Sequence, residues 1–409
     1  MLSPYTVLDL TDDRGELAGM ILGDLGAEVI KVEPPRGSSS RGMGPFLEDG
    51  PKAERSLRFF AFNRNKRGIT LDLATDAGRA ALLRLAEKAD FLIESAQPGE
   101  MAALGLSFES LRGVSPRLIY VAITAYGQDG PYAEFAANDL TLAAMGGQMA
   151  LQGDPGRPPV RVTVPQVWLH ASAEAAVAAL TAHALMLRTD EAQFVDVSAQ
   201  TAMVWTMLHA RVAHAIQSAD FNRGGSALQL GTLTLPIVYE CADGYVVMVA
   251  NGATLTKVIR WLVEDDLVPE EWIESEDWRT YDIRLLQGQP LHYGLDEVID
   301  AMRRYVRGRT KSELLERGLR EAVTIAPVNT VEELASFRHL EERGYWVKAE
   351  LPNGRRVPVP GVFARLTETP MTVRRRAPRL GEHNDEILTG SLGLSAEEVA
   401  AAGDAGNKR

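Results

Sequence analysis

"TVLDLTDDRGELAGMILGDLGAEVIKVEPP", Thr6–Pro35, alternates between two kinds of apolar spacing. Its ends, "TVLDL" and "EVIKVEPP", are short apolar runs of strand length, whereas "GELAGMILGDLG" between them has the spacing of a helix. The segment therefore predicts a β–α–β unit. Because such strands bury both of their faces, the unit indicates a parallel sheet with helices on either side.

The same alternation continues along the chain. "GITLDL", "FLIES" and "RLIYVAI" predict further strands, and "DAGRAALLRLAEKA" and "SFESLRG" predict the helices between them. Beyond these, residues 166–190 predict a long alanine-rich helix, "QFVDVSA" a strand and "QTAMVWTMLHARVAHAI" another helix. We therefore expect an α/β fold whose large domain is Rossmann-like.

Loops at the carboxyl ends of these strands form the candidate binding rim. They read "EPPRGSSSRG", "ESAQPGE" and "TAYGQDGPYAEF", and they are rich in glycine, proline and small polar residues. Ligands of open parallel sheets bind at this edge. The sequence contains neither GxGxxG after the first strand nor GxxxxGK[ST], so it does not predict a site for a dinucleotide or a nucleoside triphosphate.

A smaller α+β domain is predicted over residues 216–330. It begins near "NRGGSALQLGTLTLPIVYECADGYVVMVA", where a glycine-bearing loop precedes two strands joined by the turn "ADG". "GATLTKVIRWLVEDD", "LDEVIDAMRRYVRG" and "TKSELLERGLREA" predict its helices. After it, "LPNGRR" predicts a hairpin turn.

The composition limits the classes of function. With 409 residues, 45% of them hydrophobic, the chain is long enough for two or three domains. The formal net charge of -12 argues against a nucleic-acid partner. A lone cysteine, Cys241, excludes intrachain disulfides, and the histidines lack HExxH spacing, so we expect no metal. Without a signal-like start or an apolar run near ~18 residues, we expect a cytoplasmic protein with no membrane partner.

Several segments taken together resemble the family III CoA-transferases, the group that includes formyl-CoA and carnitine CoA-transferases and 2-methylacyl-CoA racemases. They are "LGDLGAEVIKVEPP", "NRNKRGITLDL", "IESAQPGEMAALGL", "AYGQDGPYA", "AQFVDVS", "IAPVNTVEE" and "APRLGEHNDEIL". The resemblance implies an interlocked dimer. Each large domain would combine residues 1–215 with a return over 331–409, and the active site would lie between the large domain of one chain and the small domain of the other.

The resemblance also implies a CoA thioester as substrate, with no permanently bound cofactor. Leu71, Ser95 and Ala96 fall where the family lines its adenine pocket. Arg36 and Arg41 fall near a phosphate-side arginine. We therefore predict these five residues as CoA contacts, with a carboxylic acid as the second substrate.

One departure from the family lies at the start of the first predicted helix. Where members usually have Gly-Pro, this chain has Gly15-Glu16. A carboxylate near bound phosphates would repel them by on the order of 1 kcal/mol or more at a partly exposed site.

A second departure concerns the catalytic residue. Family transferases open the long helix with an aspartate, which attacks the acyl-CoA and then carries CoA as an enzyme thioester. Alignment on "ALMLRTDEAQFVDVS" places His170 at the aspartate position and Glu174 at the following glycine. An alternative register places Pro165 there. The sequence has no aspartate between Asp154 and Asp190.

This substitution leaves several functions open, and we favour the first. His170 and Glu174, four residues apart, form a local pair on a non-catalytic subunit, which a homologous aspartate-bearing chain completes, as in the two-component succinyl-CoA:benzylsuccinate transferases. Alternatively, His170 is the general base of an acyl-CoA racemase or isomerase, paired with Glu174 or Asp139. A third possibility is a homodimeric transferase whose nucleophile is Glu174 or Asp139. A CoA-ester-binding protein without turnover is the fourth.

Overall fold

The computed structural model describes residues 1–218, 220–230 and 233–403. These residues form two compact units. One lies within Met1–Met149, Arg161–Asp220 and His339–Arg409, and the other comprises Ala150–Val160 and described residues of Phe221–Arg338. No helix in the described ranges is long and apolar enough to cross a membrane.

The strands are β1 (Thr6–Asp9), β2 (Glu28–Glu33), β3 (Lys66–Thr70), β4 (Phe91–Glu94), β5 (Ile119–Thr124), β6 (Gln193–Ser198), β7 (Ala227–Leu230), β8 (Leu233–Pro236), β9 (Val238–Cys241), β10 (Gly244–Met248), β11 (Ile325–Pro327), β12 (Trp346–Glu350) and β13 (Arg356–Pro360).

The α-helices are α1 (Glu16–Asp24), α2 (Leu57–Phe62), α3 (Asp76–Ala86), α4 (Glu100–Ala103), α5 (Phe108–Val114), α6 (Asp139–Met145), α7 (Val167–Thr189), α8 (Ala199–Trp205), α9 (Leu208–Gln217), α10 (Gly252–Glu264), α11 (Trp272–Ser275), α12 (Tyr281–Leu286), α13 (Leu295–Arg307), α14 (Lys311–Glu321), α15 (Val331–Ala335), α16 (Arg338–Glu342) and α17 (Ala396–Gly403). Short 3₁₀ turns cover Ser39–Gly42, Lys52–Glu54 and Gln148–Leu151, and Asp385–Ser391 forms a π-helical segment.

A six-stranded parallel sheet is the centre of the first unit. Its strand order is β3-β2-β1-β4-β5-β6, and every neighbouring pair is parallel. The predicted α/β fold with a parallel sheet is therefore confirmed. Strand order reverses direction between β1 and β4, so the loops after these two strands flank the topological switch point.

Both faces of this sheet are covered by apolar residues. On one face, α1 and α7 pack against the odd-numbered positions of the strands, and Ala171, Ala175 and Ala179 are fully buried there. On the other face, α3 and α5 bury their leucines with those of the π-helical segment. The alanine content of α7 thus follows from its close approach to neighbouring elements, because a small side chain leaves room for another backbone.

The predicted helix "QTAMVWTMLHARVAHAI" is two helices in the structure. The break comes after α8, where the Thr206 hydroxyl donates a hydrogen bond to the Met203 carbonyl at 2.7 Å. A threonine side chain that bonds the preceding turn competes with the continuation of the helix. The prediction of one uninterrupted helix was wrong at this point.

The second unit is built on the three-stranded sheet β11-β10-β9, in which both pairs are antiparallel. The "ADG" turn joins β9 to β10 as predicted, and α10, α13 and α14 cover the sheet with a core of their own. Cys241 ends β9. Its thiol is buried, donates to Asp243 Oδ1 at 3.3 Å, and has its pKa raised by burial. In the first unit, β12 and β13 form the hairpin that "LPNGRR" predicts.

Three charged side chains are buried at the carboxyl end of β1. Asp9 lies 2.6 Å from Lys66 Nζ and 3.3 Å from Lys31 Nζ, and all three side chains are inaccessible to solvent. Lys66 also donates to the Glu16 carbonyl at 2.7 Å and to Asn63 Oδ1 at 2.8 Å. Burial opposes ionisation of Asp9, but Lys31 and Lys66 outweigh it and lower the pKa of Asp9 to about 2. The network joins β1, β2, β3 and α1.

We predict that Lys66→Met lowers the free energy of unfolding by about 3 kcal/mol, because it leaves a buried carboxylate with one partner fewer. Urea denaturation followed by circular dichroism measures the change. The matched control is Arg117→Met, which breaks the exposed Arg117–Asp190 pair and should cost less than about 1 kcal/mol. Equal losses in the two variants would contradict the assigned importance of the network.

Candidate active site

Two loops meet at the switch point of the sheet. Asp12 follows β1 and Ser95 follows β4. The Asp12 amide donates to the Ser95 hydroxyl at 2.9 Å, and that hydroxyl donates to Asp12 Oδ1 at 3.0 Å. Asp12 is also bonded by the Arg14 guanidinium at 2.7 Å. Sequence reasoning missed Asp12 as a member of the rim, although an acidic pair three residues after the end of a buried strand could have indicated it.

The first turns of α7 lie against this rim. The Ser172 hydroxyl donates to the Arg14 carbonyl at 3.3 Å, so α7 contacts the loop that follows β1. His170 and Glu174 are on the same part of α7 and are both half-buried. The structure thus brings the predicted catalytic helix and the predicted ligand edge together within one unit.

The residues predicted to line the adenine pocket are at the carboxyl ends of β3 and β4. Leu71 is buried just after β3, and its amide donates to the Glu33 carbonyl at 2.9 Å. Ser95 is buried with its hydroxyl bonded to Asp12, whereas Ala96 is half-buried and donates its amide to Glu94 at 2.5 Å. Their contact with CoA stays a prediction.

The two predicted phosphate-side arginines differ in their surroundings. Arg36 is exposed, and among the described residues its guanidinium has no hydrogen bond or ion pair. Arg41 is buried, with all five N–H groups donated: two to Glu33, one to Glu54 and two to backbone carbonyls. Its guanidinium also lies 3.7 Å from the centre of the Phe59 ring. Arg36 is therefore the free cation of this loop, and a phosphate could bind Arg41 only by displacing a protein acceptor.

Glu16 occupies the first turn of α1. Its carboxylate is buried and accepts hydrogen bonds from Ser40 at 2.6 Å and Ser38 at 3.3 Å. Burial raises the pKa of Glu16, although Lys31, 3.9 Å away, opposes this. Glu16 therefore anchors the loop after β2 through its hydrogen bonds with Ser38 and Ser40, and its carboxylate is not exposed to solvent.

Asp139 caps the helix that carries the candidate catalytic residues. Its carboxylate accepts hydrogen bonds from the amide of Val167 at 2.8 Å and from the amide of Gln166 at 3.3 Å. These amides belong to the N-terminus of α7, where free donors and the helix dipole attract a carboxylate. Asp139 itself starts α6, whose capping box is formed by Asn138 and Thr141.

His170 lies one turn into α7, and Glu174 follows it on the same face. Burial raises the pKa of Glu174, and the nearby His170 partly offsets this effect. Within the described chain the two side chains form no direct ion pair, so their interaction acts over a longer distance. No group of three or more His, Cys, Asp or Glu side chains in the described ranges could hold a metal ion.

Residues 2–384 match the model of the family described as CoA-transferase family III. The chain therefore belongs to CoA-transferase family III, and the prediction of this family and of a transferase class is confirmed.

Individual relatives agree with that assignment. The chain is 33% identical over 404 residues to the succinyl-CoA:(R)-benzylsuccinate CoA-transferase subunit BbsE of Thauera aromatica, covering 97% of this chain and 95% of that one. It is 30% identical to the succinate–glutarate CoA-transferase of Agrobacterium fabrum, covering 91% of each. Among solved structures, a CAIB/BAIF family protein from Brucella suis superposes with a TM-score of 0.79 at 27% identity, covering 94% of this chain and 97% of that one.

We predict that Asp139→Ala destabilises the protein by about 1–2 kcal/mol, because the α7 amides of Gln166 and Val167 lose their acceptor. Asp139→Asn keeps one side-chain oxygen and should lose less than half as much. Thermal unfolding of the three proteins at one pH measures the difference. A wild-type melting temperature for Asp139→Ala would show that this cap is unimportant.

Proposed function

We propose that this chain is one subunit of a heteromeric CoA-transferase that acts on CoA thioesters of carboxylic acids. A homologous chain with an aspartate at the position of His170 supplies the catalytic carboxylate. The observation that carries the proposal is the composition of α7, in which Glu174 is the only carboxylate between Val167 and Thr189. The similarity to a relative named as a subunit supports it.

The chemistry of transfer explains why a histidine cannot replace the aspartate. A carboxylate attacks the thioester carbonyl, forms a mixed anhydride and releases CoA thiolate. The thiolate then attacks the enzyme's own carbonyl carbon, which gives an enzyme–CoA thioester and releases the first acid. An imidazole has no carbonyl carbon that could carry CoA. His170 can therefore accept a proton or a hydrogen bond, but it cannot be the carrier.

The other nearby carboxylates are poor substitutes. Glu174 is one helical turn from His170, and a turn of about 5.4 Å is a large displacement for a nucleophile that must approach within about 3 Å of its target. Asp139 is held by the amides of Gln166 and Val167, which lower its nucleophilicity and fix its orientation. Both residues are better suited to positioning than to covalent chemistry.

In the proposed assembly the two chains are interlocked, with a large domain from residues 1–215 and 331–409 and a small domain over 216–330. An uncovered apolar face on α8 and α9 supports a partner chain: Trp205, Leu208, Val212 and Ile216 are all at least half exposed. α9 buries none of its residues within the described chain. A short amphipathic helix is stable only when a neighbour covers its apolar side. We place the assembly in the cytoplasm.

CoA is proposed to bind along the rim, with the adenine near Leu71, Ser95 and Ala96. Arg36 supports this placement, since it is a cation with free donors on the adjacent loop and phosphates favour such donors.

A second function rests on the placement of His170 and Glu174 four residues apart on one face of α7. An imidazole can accept a proton, so His170 could remove the α-proton of an acyl-CoA. This reaction would be racemisation or isomerisation and would need no covalent carrier.

We predict that the purified chain alone transfers no CoA from succinyl-CoA or acetyl-CoA to carboxylic acids. Co-expression with an aspartate-bearing homologue, expected from a neighbouring gene, should give activity and an enzyme–CoA thioester on the partner, detected by intact mass spectrometry. Changing the partner's aspartate to asparagine is the matched control and should abolish both. Transfer by the lone chain that is lost in Glu174→Gln or Asp139→Asn would overturn the proposal.

The racemase alternative makes its own prediction. If His170 is a general base, the lone chain in D₂O should exchange deuterium into the α-carbon of an acyl-CoA with an enolisable α-proton, and His170→Ala should reduce the rate at least about 100-fold. NMR of the acyl-CoA measures the exchange. Absence of exchange in the wild-type chain would exclude this alternative.

A further inference from the structure

A cavity lies next to the loop that follows β4, on the α5 side of the sheet. Its volume is about 350 Å³, and it opens between the carboxyl ends of β4 and β5, the edge strand β6 and helices α4 and α5. A cavity of this size can hold a small organic molecule. The function proposed above does not use it, and the inference here does not rest on that function.

Three aromatic rings form one wall of this cavity. Tyr120 lies 5.5 Å from Phe194 and 6.2 Å from Phe108, measured between ring centroids, and Phe108 lies 5.7 Å from Phe194. Phe194 is 41% exposed although it is on a strand of the main sheet. An aromatic ring that stays open to solvent beside a cavity offers a face to a flat or cationic ligand.

The polar lining is acidic. Glu94, 4% exposed, and the exposed Glu109 both line the cavity, and no lysine, arginine or histidine is among the described residues that do. Glu94 ends β4 directly before Ser95, but the two side chains have different partners. Ser95 bonds Asp12 at the switch point, whereas the Glu94 carboxylate accepts a hydrogen bond from the Ala96 amide and lies with Tyr120 at this cavity. The cavity shares Glu94, Gln97, Gly99 and Gln128 with the rim loops, but its acidic lining repels the phosphates of CoA and favours a cation.

We propose that this cavity is a binding site for a small organic cation with an amidinium, guanidinium or primary ammonium group attached to a flat apolar body. The cationic N–H groups donate to the Glu94 carboxylate, and the apolar body lies on Phe194 and Phe108. A charge-assisted hydrogen bond to a buried carboxylate gives the site its selectivity for cations over neutral molecules of the same shape.

The ionisation of Glu94 makes this binding depend on pH. Burial raises the pKa of Glu94 to about 7; the Ala96 amide, Arg14 and Tyr120 oppose the increase, and Glu100 adds to it. Glu109 on α5 is a further carboxylate of the cavity. Since a cation binds the ionised form, its affinity should rise with pH, and it should be about tenfold higher at pH 8 than at pH 6.

Benzamidinium and benzamide are suitable probes, because they share a flat body and differ in charge. Isothermal titration calorimetry on the full chain should detect benzamidinium at pH 8, with about tenfold weaker binding at pH 6, and should detect no benzamide. Glu94→Gln should weaken benzamidinium at least about tenfold. Glu109→Gln is the matched control on the same cavity, and its exposed carboxylate should change the affinity by less than about threefold.

Each outcome decides the proposal. No binding of benzamidinium at pH 8, equal binding of benzamide, or an affinity that does not change with pH would overturn it. If Glu94→Gln does not fold, the comparison of pH 6 with pH 8 on the wild-type chain remains a test of the same carboxylate. An additional variant, Phe194→Ala, removes the apolar wall and should weaken benzamidinium while leaving its pH dependence unchanged.

Discussion

The rest of the first unit depends on the ion pairs that the buried Asp9 carboxylate forms with Lys31 and Lys66. Asp9 ends β1, and its two lysine partners extend from β2 and β3, so one side chain fixes the relative heights of three strands. α1 belongs to the same network, because Lys66 also bonds the Glu16 carbonyl, and a Cβ on Gly19 would lie 2.2 Å from the Asp9 carboxylate. Glycine at position 19 is therefore required for α1 to approach the sheet this closely.

The same ion pairs fix the positions of the elements that carry the candidate site. With β1 and α1 fixed, the loop after β1 can hold Ser95 through Asp12 and can accept a hydrogen bond from Ser172 of α7. Asp139 fixes the other side of the α7 N-terminus. The N-terminus of α7 is thus held from two sides, and the imidazole of His170 lies one turn into this helix.

Strand and helix periodicity was enough to predict the parallel sheet, the rim at its carboxyl edge and the long α7, because each depends on patterns within a few residues. The role of Asp139 was not accessible in that way, since its partners are the amides of Gln166 and Val167, which follow it by 27 and 28 residues. Likewise, one N–H group of Arg41 donates to the carbonyl of Pro378, which is far away in the sequence. Sequence reasoning identified residue types suited to the chemistry, whereas the structure shows which of them are already occupied.

The burial of Cys241 has a practical consequence for enzymology. Its thiol is enclosed in the core of the second unit, and its raised pKa keeps it protonated and unreactive at neutral pH. As the chain has no other cysteine, the folded protein contributes almost no background to a colorimetric thiol titration. Free CoA that forms when a thioester is hydrolysed can therefore be measured with a disulfide reagent such as dithionitrobenzoate without first alkylating the protein, whereas CoA transfer between two acids releases no net thiol and gives no signal.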